Sequence, residues 1–143
     1  MARAANSSSQ GDQVITIDVE SVDYTIEVDN VAQGDGVAGI ELAWADASNR
    51  IFMWLDGAHI QVGKIDGGSF SVPSSSDHNK SFSTGDLSRY TVVRRGGKFW
   101  IYFDGRGLSY VTAGATIAAA TNVGIFTNGA ADGITDFRVY DES

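Results

Sequence analysis

Tight-turn dipeptides recur along the whole chain and constrain its fold more than any other feature. Asp-Gly occurs five times, at 35–36, 56–57, 66–67, 104–105 and 132–133, and Gly96-Gly97 and Asn128-Gly129 are two further pairs. Such pairs supply the positive-φ positions that short hairpin loops require. The runs between them are short and rich in Val, Ile, Thr and aromatic residues, which favour strands. The pattern therefore predicts antiparallel hairpins.

We expect ten strands between these turns. They cover residues 13–20, 23–31, 37–46, 50–56, 58–65, 89–95, 98–104, 107–112, 122–127 and 133–140. In the second strand Tyr24, Ile26 and Val28 alternate with polar neighbours, which is typical of an antiparallel strand with one wet face. The stretch 98–104 is apolar on both faces and is expected at the centre of a sheet. Ten short strands with regular turns predict an all-β, antiparallel β-sandwich of the jelly-roll kind.

Three segments do not fit the strand pattern. Residues 1–12 are small and polar, so we predict an N-terminal arm followed by one sandwich domain at 13–143. Residues 69–88 are rich in serine and hold the only proline of the chain, Pro73, which predicts a long loop or an edge hairpin. The Ala-rich run at 113–121 favours either one helical turn or a tight loop.

The alternation also predicts the core and the central turns. Ten apolar residues on alternating strands are expected between two sheets: Ile26, Val28, Ile40, Leu42, Val92, Ile101, Phe103, Ile125, Phe137 and Val139. Gly96-Gly97 and Asp104-Gly105 bracket the most apolar strand. We expect both pairs to be hairpin turns with positive φ.

The chain is long enough for one self-sufficient domain and contains no cysteine. A domain of 143 residues buries roughly 68–70% of its unfolded surface, so its core needs no disulfide. The lack of cysteine in the sequence excludes a disulfide framework and a thiolate metal site. No run reaches the roughly 7–15 apolar residues of a signal peptide or the ~18 of a membrane span. We therefore expect no signal peptide and no membrane partner.

Charge is distributed unevenly along the chain. The net charge of −8 argues against a general nucleic-acid binder. Residues 12–46 hold nine acids and no Lys or Arg, whereas residues 89–106 hold five bases. One interpretation is a solvated face and a charged hairpin tip; the other is complementarity between neighbouring copies. If the charges of neighbouring copies are complementary, the arm and the basic residues Arg94, Arg95 and Lys98 lie at the interface of a homo-oligomer.

The chain carries an ordered set of strand motifs. They are VAGIEL at 37–42, IFM at 51–53, YTVVR at 90–94, FWIYFDG at 99–105, NVGIF at 122–126 and ITDFRV at 134–139. Together they resemble the concanavalin A-like lectin/glucanase superfamily, in particular its laminin-G-like and bacteriophage-tail domains. The resemblance covers roughly residues 23–140. Because these motifs are structural, it implies a sandwich fold more than any activity.

The acidic and histidine side chains form no catalytic or metal-binding pattern. Glucanases of that superfamily carry Glu-x-Asp-x-x-Glu on one strand, and neither DVE at 18–20 nor EVD at 27–29 is continued by the required glutamate. His59 and His78 have no patterned partners, so zinc is not predicted. Oxygen atoms in the loops are suitable ligands for calcium, so a calcium site stays an alternative, but the sequence shows no EF-hand spacing. We expect no enzyme, no metal and no cofactor.

Aromatic residues on strands are the candidates for binding. Trp44, Trp54, Trp100 and Tyr102 are rigid and amphipathic, which suits stacking on a sugar or a partner surface. The alternative is that they fill the core. Trp100 and Tyr102 share one face of their strand, and the opposite face carries Phe99, Ile101 and Phe103. If the latter face is the core, Trp100 and Tyr102 point outward.

Three functions are compatible with these features. We rank first a non-enzymatic structural or binding module of a bacteriophage virion, a capsid-decoration or tail protein assembled in the host cytoplasm, which mediates assembly or surface attachment. The phage-tail resemblance and the charge asymmetry favour it. Its partners are other virion proteins or copies of itself, with glycan as a further option and no nucleic acid. The alternative is a carbohydrate-binding, lectin-like module, and a glycoside hydrolase ranks last.

Overall fold

Turns and β-rich runs produce the strands expected from them. A computed structural model describes residues 3–6, 13–31, 37–56, 59–77, 87–128 and 134–142. They form β1 (Arg3–Asn6), β2 (Gln13–Asp18), β3 (Asp23–Val31), β4 (Val37–Asp46), β5 (Asn49–Asp56), β6 (His59–Asp66), β7 (Ser69–Asp77), β8 (Leu87–Arg95), β9 (Lys98–Phe103), β10 (Arg106–Thr112), α1 (Ala115–Ala118), β11 (Asn122–Asn128) and β12 (Ile134–Asp141). All ten predicted strands are present, with ends within two residues of those expected. The all-β prediction is confirmed.

The strands form two antiparallel sheets. The seven-stranded sheet has the order β1-β2-β11-β4-β5-β6-β7, and the five-stranded sheet has the order β10-β9-β8-β3-β12. Strand β9 lies inside its sheet between β10 and β8, although β8 is the central strand of the five. The strand β11, late in the chain, lies between the early strands β2 and β4. No helix in the described ranges is long and apolar enough to cross a membrane.

The two hairpin turns around β9 form as predicted. Register pairs Arg95 with Lys98 across Gly96-Gly97, and Phe103 with Arg106 across Asp104-Gly105. Positive φ occurs at Gly96 (58°), Asp104 (48°) and Gly105 (84°). Gly97 is not in that region; a Cβ there would lie 3.0 Å from the Ala118 Cβ and 3.1 Å from the Ala113 oxygen. Gly97 therefore gives room for the segment that leads into α1.

The serine-rich segment contains an edge strand, β7, and residues 78–86 of it lie outside the described ranges. Pro73 lies at the irregular step of the β6–β7 pairing, where its missing N–H breaks no regular ladder. Hydroxyl groups of the strand join the two sheets at this rim. Ser74 and Ser76 lie 2.8 and 2.9 Å from the Ser109 hydroxyl, and Ser76 also donates to the Leu108 carbonyl.

The predicted arm is not separate from the sandwich. Its residues 3–6 form β1, which pairs with β2 of the same chain, so the seven-stranded sheet begins ten residues before the predicted domain start. The expectation that the arm lies at the interface of a homo-oligomer stays a prediction, because β1 is an edge strand and pairs with β2 on one side only. Edge addition uses main-chain hydrogen bonds and needs no large side chains, so a polar segment suffices.

The core lies between the two sheets and contains most of the predicted residues. Seven are almost fully buried: Ile26, Val28, Ile40, Leu42, Val92, Ile101 and Phe103. Phe137 and Val139, on the edge strand β12, are half-buried against the same cluster. Ile125 is also half-buried. Phe99 is inside with Ile101 and Phe103, so Trp100 and Tyr102 point outward.

Arg94 is buried in this core, which contradicts its prediction as an interface residue. All five of its N–H groups are bound: Nε donates to Gly96 O (2.7 Å), Nη1 to Tyr24 Oη (2.8 Å) and Ala120 O (2.6 Å), and Nη2 to Ile117 O (3.1 Å) and Ala118 O (3.0 Å). Its guanidinium also lies 5.1 Å from the Tyr24 and Phe99 ring centres. Arg94 thus ties α1 to the five-stranded sheet.

The buried hydroxyl of Tyr24 is expected to make the stability of the protein fall at alkaline pH. Burial raises the pKa of its hydroxyl from 10.0 to about 12, with Arg94 acting in the opposite direction. Because the folded pKa lies above the unfolded one, the neutral phenol stabilises the fold fully below pH 10, and this contribution is lost as pH rises through 12. We expect the free energy of unfolding, measured with urea, to fall across that window. The fall should be shallower in Tyr24→Phe; equal slopes would contradict the assignment.

Candidate functional site

The four predicted aromatic residues lie on opposite sides of the molecule. Trp44 and Trp54 are on the outer face of the seven-stranded sheet, where they pack with a small cluster separate from the core. Trp100 and Tyr102 are on the outer face of the five-stranded sheet, because their neighbours Phe99, Ile101 and Phe103 point into the core. The structure therefore offers two aromatic surfaces and not one site.

The larger surface is an aromatic platform formed by Trp44, Phe52, Trp54, Phe70 and Phe126. The Phe52 ring is stacked with Trp54 at 5.5 Å between centroids and with Phe70 at 6.3 Å. Phe126 meets Phe52 edge-on at 5.5 Å. These rings come from four of five consecutive strands of the sheet, β11, β4, β5 and β7, and β6 between the last two contributes none of them. Of these five residues, only the two tryptophans are among those predicted from the sequence. Phe52 carries a signal that could have found it, because alternation in β5 puts it on the same face as Trp54.

Two glycines give the platform rings their positions. Gly63 pairs with Phe52 across β5 and β6, and a Cβ there would lie 2.7 Å from the Phe52 ring. Gly39 lies between Trp54 and Phe126 in the register, and a Cβ there would lie 2.3 Å from the Phe126 ring. The aromatic rings therefore occupy the space above bare backbone.

A buried ion pair lies beneath the platform. Arg50 Nε donates to Glu41 Oε2 at 3.2 Å, and Arg50 Nη2 donates to Glu41 Oε1. Their side chains are only 6% and 0% exposed. The guanidinium stands 4.2 Å from the Phe52 ring centre, 5.2 Å from Trp44 and 5.6 Å from Phe126. The pair fixes three rings by cation–π contact and neutralises its own charge.

Part of the platform remains accessible to a ligand. Phe70 is 59% exposed, whereas Phe52 and Phe126 are buried by their neighbours. Trp44 and Trp54 are half-buried. The buried rings hold the exposed ones in place, so the platform is rigid before any ligand binds.

The smaller aromatic surface is on β9 and β10. Trp100 and Tyr110 are paired with ring centroids 5.2 Å apart, tilted by 40°. Tyr102 lies over Gly107, where a Cβ would be 3.5 Å from its ring. Of the predicted assembly residues, Arg95 and Lys98 are exposed beside this surface.

Two described carboxylates, those of Asp18 and Asp29, have a lowered pKa. The Asp18 pKa is lowered by hydrogen bonds from the Thr121 hydroxyl (2.7 Å) and the Glu20 N–H (2.8 Å). The Asp29 pKa is lowered mainly by Arg89, whose Nε donates to it at 2.8 Å. A glycosidase acid needs a raised pKa, so both carboxylates have the opposite tendency.

The described part of the chain holds no cluster of metal-ligating side chains. Among the described residues, no group of three or more His, Asp or Glu side chains is placed to hold a metal ion. His59 is exposed at the start of β6, and His78 and residues 132–133 lie outside the described ranges.

Comparison with known proteins identifies the fold. No family model matches the sequence, and no curated protein does. Similar solved structures include a carbohydrate-binding module, CBM66 from Bacillus subtilis, with TM-score 0.62, 16% identity and coverage of 99% of this chain and 88% of that one. A toad ovary galectin in complex with thio-digalactose has TM-score 0.61, 12% identity and coverage of 89% and 98%.

A third similar structure is that of a GH43 protein. The GH43 protein BlXynB from Bacillus licheniformis has TM-score 0.63 and 15% identity, but the match covers 90% of this chain and only 29% of that protein. These likenesses show a concanavalin A-like, jelly-roll sandwich. The laminin-G-like and phage-tail detail is not shown. The capsid or tail role and the virion location stay predictions, since none of these three proteins is a virion component.

Proposed function

We propose that this chain is a non-enzymatic carbohydrate-binding module whose sugar-binding surface is the aromatic platform. The observation that carries the proposal is the set of half-exposed rings held rigidly on one open sheet face. Trp44, Trp54 and Phe70 present ring surface to solvent, and Phe52 supports the last two by stacking. The virion role ranked first from the sequence gives way to the lectin-like alternative.

The chemistry of the platform suits the apolar face of a sugar ring. Pyranose rings expose patches of C–H groups between their hydroxyls, and rigid aromatic rings can cover such patches at little conformational cost. Binding sites of this type combine apolar walls with a few polar groups that set orientation. The Gln61 side chain, which is half-buried beside Trp54 in the register, is a polar group of that kind.

The ion pair beneath the platform favours neutral glycans. The charge of Arg50 is already matched by Glu41, and aromatic rings cover it on three sides. An anionic sugar therefore gains no unmatched cation from this pair and carries the cost of its own desolvation. We expect neutral oligosaccharides to bind better than sialylated or sulfated ones.

The named neighbours support this assignment without identifying the ligand. One is named as a carbohydrate-binding module and another is a galectin in complex with thio-digalactose. Both match this chain over nearly its whole length. The similarity to these proteins concerns the fold alone. The proposed function therefore depends on the platform residues of this chain.

Replacing Trp54 by alanine tests the platform directly. We expect thio-digalactose, and the neutral glycans selected from a printed array of neutral and acidic glycans, to bind the wild type in isothermal titration. Trp54→Ala should weaken binding at least tenfold, because an aromatic anchor in the middle of a site contributes more than 1.4 kcal/mol, or roughly a factor of ten.

Trp100→Ala is the matched control, since it removes the same side chain from the opposite sheet. It should leave the affinity for a soluble saccharide unchanged. The proposal fails if no glycan on the array binds. It fails equally if Trp100→Ala abolishes binding while Trp54→Ala, still folded by circular dichroism, binds as the wild type does.

A further inference from the structure

A row of uncharged, mostly aromatic side chains crosses the outer face of the five-stranded sheet. The strand register places Tyr110 beside Trp100, Trp100 beside Val93, Val93 beside Thr25, and Thr25 beside Tyr140. The two tyrosines at the ends are 52% and 45% exposed. The three residues between them are half-buried, although no other layer of the described chain covers this face. We call this set the aromatic row.

The charges beside the aromatic row are segregated by strand. In the next register position, Lys98 on β9 and Arg95 on β8 lie beside Asp23 on β3. Glu142 follows β12 and donates its backbone N–H to the Asp23 carbonyl at 2.9 Å, which continues the same line. One half of the line is therefore basic and the other half is acidic. Lys98 and Glu142 are both exposed.

The opposite flank of the aromatic row has a related asymmetry. Its register is Tyr102, Thr91, Glu27 and Arg138, running from β9 to β12. An aromatic ring thus lies at the β9 end and a guanidinium at the β12 end. In a second copy of the chain, related by a two-fold axis parallel to the strands, the β12 end of this flank would lie opposite the β9 end of the first copy.

We propose that this face binds the same face of a second copy of the chain, about a two-fold axis that runs parallel to the strands between β8 and β3. That axis lays the basic half of each copy over the acidic half of the other. It opposes Lys98 to Glu142 of the second copy and Arg95 to its Asp23. An axis across the strands would instead lay Lys98 over Tyr102, so the charges select the first arrangement.

The same axis matches the aromatic groups. Trp100 meets Tyr140 of the second copy, which gives an aromatic contact near each end of the shared interface. Tyr102 meets Arg138 of the second copy, where a guanidinium over a ring is favourable. Every pair occurs twice, because a two-fold interface is isologous.

The size of the face indicates a weak dimer. Five strands of six to nine residues, about 4.8 Å apart, give a face of roughly 20 by 25 Å, or about 500 Å² in projection. A stable complex buries about 800 Å² per partner. We therefore expect a dimer that dissociates on dilution. This inference does not depend on the proposed sugar binding, which uses the opposite sheet.

Sedimentation velocity across low-micromolar to millimolar concentrations tests the proposal on the intact chain. The wild type should pass from monomer to dimer, and Trp100→Ser should remain monomeric. Lys98→Glu or Glu142→Lys alone should weaken the dimer at least tenfold, because each places like charges at two symmetric contacts. The double charge swap should restore wild-type association.

Glu20→Lys is the matched control for Glu142→Lys, since Glu20 is exposed in the turn between β2 and β3, off this face. It should dimerise as the wild type does. The proposal is overturned if the wild type stays monomeric throughout, which would leave the face to a different partner. It is also overturned if the dimer persists in both single charge reversals, or if the double swap fails to restore it. The two charge positions are exposed, so these outcomes hold even if Trp100→Ser folds poorly.

Discussion

Arg94→Met is expected to lower the free energy of unfolding by about 3–5 kcal/mol, as removal of one side of a buried charged network does. The substitution keeps an unbranched chain of similar length but removes all five N–H donors. The carbonyls of Ile117, Ala118 and Ala120 and the Tyr24 hydroxyl then lose a partner, and of these the Ile117 carbonyl keeps the hydrogen bond from the Ala120 N–H. Each buried acceptor left without a hydrogen bond costs about 1–3 kcal/mol.

Arg95→Met is the matched control for this experiment. Arg95 is the next residue along β8, is exposed, and bonds through its side chain to the Arg94 carbonyl. Its replacement should change the free energy of unfolding by no more than about 0.5 kcal/mol. Urea unfolding followed by tryptophan fluorescence measures both. Equal effects of the two variants would show that Arg94 does not have the role described.

Phe103→Ala is expected to lower the free energy of unfolding by about 3–5 kcal/mol. Phe103 is 3% exposed in the main core, and Tyr90 packs against it with 5.4 Å between ring centroids. Truncation removes buried apolar surface and leaves a cavity that two rigid sheets cannot close.

Phe70→Ala removes the same group from an exposed position on the edge strand β7, and it should cost less than about 1 kcal/mol. Thermal and urea unfolding of the two variants give the comparison. A small loss for Phe103→Ala, or a loss as large for Phe70→Ala, would place the core elsewhere than between the two sheets.

Local signals in the chain were sufficient to predict most of the sandwich. Turn dipeptides and period-two alternation act within a hairpin, so β3 and β4 were predicted with the boundaries that the structure shows. The edge strand β1 was not predicted as a strand, and β7 was predicted only as one of two alternatives, a long loop or an edge hairpin. Edge pairing is satisfied by backbone groups alone, and neither the small residues of β1 nor the serines of β7 carry a strand signal.

The candidate site was only half predictable for a related reason. Trp44 and Trp54 lie on adjacent strands of one hairpin, and the sequence suggested both. Phe126 reaches the platform because β11 lies between β2 and β4. No local sequence pattern predicts this position of β11. Tertiary pairing across about eighty residues of chain therefore decided the composition of the platform.

The sequence by itself determined that this chain forms antiparallel strands with a core of Val, Ile, Leu and Phe, because turn chemistry and alternation are properties of a few consecutive residues. Only the tertiary structure decided which charged and aromatic side chains face the solvent. Arg94 and Arg95 are neighbours of the same type, yet one is enclosed by carbonyl groups and the other is exposed. A strand alternates its side chains between two faces, and the packing of the second sheet determines which face becomes the interior.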